Sequence, residues 1–405
     1  MKRIVTLLAT LTVLALSTAW AQECDYQNEV PVTSLSAGFE AWKVVTDAMA
    51  ACGNFTPELD QEFREKQAAA MAASPSQYTI GGVANATIVP LINDNLIRPL
   101  DDLVAEYGQD LAPNQLIKID GQTMAIAMMI NAQHLMYRSD IFEELGLEIP
   151  TTYDEVLEVA QAIQDADVVD YPLGGTFASG FNLGEEFINM YLGFGGEFFA
   201  DDNTAAVNNE QGVQTLEMLK ALTEYMDPEF LAADSTYVQQ QFQQGQIAMA
   251  NLWASRAGAM DNEEESQVVG LIDFAAAPAA VEGGPPATTL WWDGATIASN
   301  VSDEEAEAAF RLFLEGISYD NLSQHPEAAV WLSSQEIDSP IAAGAVASAE
   351  AGAPSYPASN LVGLMHTAAG NNIADFLTGA ESAEQTLSDI EEEYNAAARE
   401  SGFVE

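Results

Sequence analysis

The residues best suited to covalent or metal chemistry are few in this chain, and their spacing argues against it. Its histidines, His134, His325 and His366, lie far apart in sequence, and none has the short spacing of a zinc site. There is no Gly-x-Ser-x-Gly nucleophile elbow and no phosphate-binding glycine loop. The cysteines, Cys24 and Cys52, do not form a Cys-x-x-Cys redox pair. Acidic residues number 62, so the paired carboxylates of a glycoside hydrolase arise by chance and signal nothing, although composition alone does not exclude such an enzyme. What remains is chemistry that binds without reacting. Indole faces match the C–H surface of a small polar solute, while amides, carboxylates and guanidinium groups take its hydroxyls or charges. Trp253 follows the Gly245-Gln246 turn. Trp291 and Trp292 are adjacent, so on a strand they point to opposite faces, and of the two Trp292 is preferred for a cleft. Arg256 can clamp an acidic sugar bidentately or pair with a surface acid.

The balance of 12 Lys and Arg against 62 Asp and Glu gives a net charge of −50. Nucleic acid and anionic membranes would be repelled. The acids are dispersed, as in Glu304, Glu305 and Glu307, which reads as a solvated acidic surface; an acidic cleft for cationic ligands is the alternative. The N-terminus differs from the rest. Lys2 and Arg3 precede an apolar run from Ile4 to Leu16, and Ala19-Trp20-Ala21 fits a cleavage site, so residues 1–21 read as a secretory signal peptide. Cys24 follows Glu23, which is not the small residue that a lipid-anchored cysteine follows. A free, exported protein is therefore expected, with Cys24 and Cys52 joined in a disulfide that ties the N-terminal tail to the end of the first helix.

Two lobes are the default for a chain of 405 residues. Strand-like and helix-like segments alternate, which argues α/β architecture. Val30–Leu35, Gln77–Val83 and Thr123–Ile130 read as strands, and residues 38–51 as the first helix. Thr152-Tyr153-Asp154-Glu155 and Ser302-Asp303-Glu304-Glu305 are capping boxes, and Ser382 with Gln385 opens a last helix. Residues 276–289 and 342–359, rich in Ala, Gly, Pro and Ser, read as connections.

Four segments, in this order and spacing, resemble the sugar-binding branch of the solute-binding proteins of ABC importers, the branch that includes maltose-binding protein. The first is Asp120-Gly121-Gln122 through Tyr137-Arg138-Ser139-Asp140-Ile141-Phe142 to Gly146-Leu147, followed by Pro150-Thr151-Thr152-Tyr153-Asp154-Glu155. The second is Gly195-Gly196-Glu197-Phe198-Phe199 with Val207-Asn208-Asn209. The third is Phe242-Gln243-Gln244-Gly245-Gln246-Ile247-Ala248-Met249 leading to Trp253. The fourth is Trp291-Trp292-Asp293-Gly294 through Ala298-Ser299. Ala127 departs from the family's usual proline. The resemblance implies a two-lobed α/β periplasmic-binding-protein fold that captures a sugar by closing a cleft and delivers it to a membrane permease. It implies an N-lobe of residues 22–130 and 293–338 and a C-lobe of 131–292 and 339–405, joined near Ile130–Gln133, Trp292–Ala295 and Ser339. No cofactor, metal or catalysis is expected, and the protein would be a periplasmic monomer. By position it points to Ser36, Glu40, Asn85, Asn131, Trp253, Trp292, Asp293 and His366 as ligand contacts, with Arg256 as a further candidate. A polyamine or other small cation is the rival ligand.

Overall fold

The structure is a computed structural model that describes residues 24–404. The segment read as a signal peptide lies outside the described residues. In chain order the strands are Asn28–Ser36 (β1), Gly53–Leu59 (β2), Ile80–Ala84 (β3), Leu116–Ile119 (β4), Gln122–Asn131 (β5), Gln133–Arg138 (β6), Tyr171–Gly174 (β7), Ile247–Trp253 (β8), Ile272–Ala275 (β9), Trp291–Ile297 (β10) and Val330–Trp331 (β11). They form two separate sheets. The larger runs β11-β5-β10-β3-β1-β2 with β4 beside β5, and the smaller runs β7-β8-β6-β9. β1 pairs in parallel with both β2 and β3, whereas β10 lies antiparallel between β3 and β5.

Each sheet has its own core. In the first lobe the helices Glu40–Ala51 and Asp303–Gly316 cover one face of the large sheet, burying Leu35, Trp42, Val45, Ile126, Phe310 and Phe313. Each such side chain contributes about 1.5–3 kcal/mol by leaving water. In the second lobe the helices Phe181–Gly193, Glu210–Thr223, Asn360–Leu377 and Ala383–Glu400 pack together, burying Phe187, Leu216, Ile373, Leu387 and Tyr394. The helix starts read from the sequence form as expected. Thr152 accepts from the Glu155 N–H at 3.2 Å, and Ser302 from the Glu305 N–H at 3.2 Å, each with the reciprocal glutamate bond. Such caps are worth about 1 kcal/mol each.

The chain passes between the sheets three times. It crosses at Ala132, between β5 and β6; again over residues 276–290, between β9 and β10; and last over residues 332–342, after β11. Trp292–Ala295, expected as the second crossing, lies inside β10. The stretch 342–359, expected as a connection, holds the helix Ala343–Glu350. Its alanines favour a helix, and Gly344 lets it press on the smaller sheet, since a Cβ there would come within 2.3 Å of the His134 ring.

Cys24 and Cys52 are disulfide-bonded, with 5.6 Å between their Cα atoms. Glu315 accepts from the backbone N–H groups of Asp25 and Tyr26 at 3.2 and 2.8 Å, so the N-terminal tail is pinned twice to the first lobe. No helix among the described residues is long and apolar enough to cross a membrane.

Candidate functional site

Strand alternation decides the site. β10 ends the second crossing and brings three chemically useful residues to the junction of the lobes. Residues two apart on a strand share a face, so Trp291 and Asp293 point together into a cavity of about 290 Å³ between the lobes. Trp292 points the other way and packs against the apolar cluster that contains Met71, Val83, Ile88 and Leu91. The preference for Trp292 is thus corrected: a strand that presents Asp293 to the cavity must present Trp291 with it. A register shift between Asp293 and Gly294 marks a bulge. Gly294 is required there, because a Cβ would lie 2.2 Å from the Ile126 carbonyl oxygen. Bulges of this kind re-aim a neighbouring side chain.

The first lobe adds Phe39, Gln61, Arg64 and Asn131 to the cavity wall. The second adds Phe181, Asn182, Asp234, Ser235, Trp253, Ser255 and Arg256. Trp253, at the end of β8, meets Trp291 edge to face, with ring centroids 5.9 Å apart and planes at 89°. Phe181 meets Trp291 in the same manner at 6.1 Å. The result is an aromatic corner with polar groups around it. Asn131 is held by Ser255, whose N–H donates to its carbonyl oxygen at 3.2 Å and whose hydroxyl accepts from its amide at 3.1 Å. Arg64 spreads its guanidinium over the rings of Phe181 and Phe63, at 4.4 and 4.9 Å. Burial raises the Asp293 carboxyl to about 7, with the nearby positive charge of Arg64 opposing the rise.

Of the residues expected at the site, Asn131, Trp253, Asp293 and Arg256 line this cavity. Glu40 is exposed and lines the wider opening beside it. Ser36 is fully buried behind β3, where a Cβ on Gly82 would lie 2.4 Å from the Ser36 Cβ. Asn85 is buried and spent on backbone bonds. Its amide faces the carbonyls of Leu290 and Tyr356 at 3.4 and 3.3 Å, and its oxygen accepts from the Trp292 N–H at 2.9 Å. His366 is buried with both nitrogens engaged. Nε2 donates to the Phe181 carbonyl at 2.7 Å, so Nδ1 accepts from the Tyr356 hydroxyl at 3.0 Å. It borders a second, smaller cavity on the far side of Arg64 and Phe181.

Sequence reasoning missed Arg64, Phe181 and the pair Glu185–Glu186. The glutamates lie on an otherwise uncharged helix, and that isolation was a usable signal. Glu185 accepts from the Trp291 indole N–H and from the Thr289 hydroxyl, at 3.0 and 2.9 Å, so it fixes the aromatic corner from behind. Glu186 accepts from Gln133 at 2.8 Å and from Thr176. Burial raises the two carboxyls to about 8 and about 7, against the hydrogen bonds that favour their charged forms. Burial also lowers His366 to about 4, which keeps it neutral 3.8 Å from Glu185.

A two-lobed fold with an aromatic and polar cavity at the lobe junction is the frame of a ligand-trapping protein, and residues 54–315 match the sequence profile of one family. The chain belongs to the bacterial extracellular solute-binding proteins. A probable ABC transporter-binding protein of Deinococcus radiodurans is 27% identical over 67% of this solute-binding protein and 68% of its own length. A polygalacturonan/rhamnogalacturonan-binding protein of Bacillus subtilis is 26% identical over 48% of the chain and 42% of its own length. Among solved structures, an ABC transporter solute-binding protein of Agrobacterium radiobacter in complex with ribitol superposes with a TM-score of 0.80. It covers 92% of this chain and 100% of that one at 21% identity. A maltose-bound protein of T. maritima gives 0.78, covering 91% and 99% at 19% identity. These proteins share the two-lobed α/β fold found here.

Proposed function

We propose that this solute-binding protein captures a sugar or sugar-like polyhydroxylated solute between its lobes and delivers it to the permease of an ABC importer. The observation that carries the proposal is the perpendicular pair Trp253 and Trp291, ringed by Asn131, Asp293, Ser255 and two arginines. An indole face suits the C–H surface of a sugar, and the surrounding amide, carboxylate and hydroxyl groups suit its edge. The relatives named above, with their ribitol, maltose and pectic ligands, support the same solute class. The protein works as an exported, periplasmic monomer after loss of residues 1–21. Its two lobes close by rotation about the segments that join the sheets. The cavity binds without catalysing, and needs no cofactor.

A polyamine ligand is disfavoured, because Arg64 and Arg256 line the cavity alongside Asp234 and Asp293 and cancel the negative charge a cation would need. A thermal-shift screen across neutral sugars, polyols, sugar acids and polyamines tests the reading. A saccharide at a hundred times its Kd stabilises the protein by about 2.7 kcal/mol. Stabilisation by polyamines alone, or turnover of a labelled oligosaccharide, would overturn it.

A further inference from the structure

The cleft keeps positive charge in reserve. Among the described residues Arg98, Arg138, Arg311, Lys43 and Lys66 each lie within 4.0 Å of a carboxylate, as an excess of 62 acids makes easy. Among the described residues Arg64, Arg256, Lys118, Lys220 and Arg399 have no such partner, and of these only Arg64 and Arg256 line the cavity. Arg256 makes one long bond, 3.3 Å, to Gln239. Arg64 makes none. Its guanidinium carbon lies 4.9 and 4.4 Å from the ring centres of Phe63 and Phe181, and among the described residues no side-chain hydrogen bond engages its N–H groups.

Arg64 also stands between two cavities. The second, about 210 Å³, is bordered by Gln67 and Thr87 from the first lobe and by Tyr356, His366 and Thr367 from the second; among the described residues no Asp or Glu lines it. Asp293, the carboxyl whose charge bears most on Arg64, is itself raised to about 7 by burial and so offsets the guanidinium only in part near neutrality. A planar guanidinium without a protein partner fits a carboxylate, with two parallel N–H···O bonds.

We propose, building on the saccharide reading, that Arg64 receives a carboxylate carried by the ligand, so that the solute is a uronic acid or a short oligouronide. The sugar ring lies in the aromatic cavity and its carboxylate at the Arg64 edge, with the second cavity free to take a further residue. The net charge of −50 does not prevent this, because surface acids beyond a Debye length of about 8 Å are screened, and within the cavity Arg64 and Arg256 stand against Asp234 and Asp293.

The test is titration calorimetry of the purified protein with galacturonate, glucuronate and digalacturonate against galactose, glucose and galactobiose. At least one uronate is expected to bind ten-fold or more tightly than its neutral parent and to weaken as NaCl rises from 50 to 500 mM. Arg64→Gln should remove most of that preference, and Arg64→Lys should keep part of it. Equal binding of uronate and parent, unaffected by Arg64→Gln, would overturn the acidic-ligand proposal and leave the saccharide reading standing. Binding of no saccharide by folded wild-type protein would overturn both. If Arg64→Gln fails to fold, the wild-type ratio and its salt dependence decide.

Discussion

Two residues apart on the helix Phe63–Ala72, Arg64 and Lys66 have opposite fates. Lys66 points outward into the grip of Asp60 and of Glu58, the latter at 2.6 Å, and their hydrogen bonds raise its pKa. Arg64 lines the cleft, lies over the rings of Phe63 and Phe181 and, among the described residues, has no carboxylate within 4.0 Å. On the outer face an ion pair forms because acids are everywhere, and solvent makes it nearly worthless. In the cleft a cation left without a partner keeps its full capacity for a ligand. The same contrast separates Trp291, which faces the cavity, from Trp292, which faces the core. Binding groups and packing groups are interleaved along single elements.

The largest effect expected from breaking this pattern lies behind the cavity. Glu185 and Glu186 hold their protons to about 8 and about 7 in the folded state, while the unfolded chain releases them near 4.5. Between those values the folded state binds more protons, so stability is full in mild acid and falls as pH rises from about 5 to about 8. Glu185→Gln keeps the acceptor for the Trp291 indole and removes the titration. It should stabilise the protein at pH 8 by on the order of 3 kcal/mol and change little at pH 5, as read by urea unfolding at both pH values. A pH-independent difference would mean that Glu185 is already charged.

Binding should move next. Trp253→Ala is expected to cost about 1–3 kcal/mol of ligand affinity, some ten- to hundred-fold, with the fold intact. Trp292→Ala should do the reverse, lowering stability by about 1–3 kcal/mol while affinity stays within about threefold. Calorimetry and denaturation on both variants would show whether the two indoles divide their work in this way. The smallest effect belongs to the outer face. Lys66→Ala should leave affinity unchanged and shift the melting temperature by no more than about 2 °C.

Much was legible in the residues alone. Hydrophobic alternation and capping boxes announced the strands and helix starts, because those signals are local: a side chain's period and a hydroxyl three residues before a glutamate do not depend on the rest of the chain. The disulfide followed from two cysteines in a chain whose N-terminus reads as an export signal, and the family from the order of four motifs. Asn131, Trp253 and Asp293 could be named because they lie in or at the ends of elements those motifs mark, and Arg256 because it follows the third of them by three residues. What only the tertiary structure decided was which way side chains face and what meets them across the lobes. Asn85 sits beside the cleft in sequence, yet it is consumed by carbonyls of residues 290 and 356. Arg64 and Phe181 are 117 positions apart on different lobes and meet only when both lobes are built. Whether a polar group is free for a ligand depends on what else its surroundings offer it, and those surroundings are assembled by long-range contacts that no local pattern encodes.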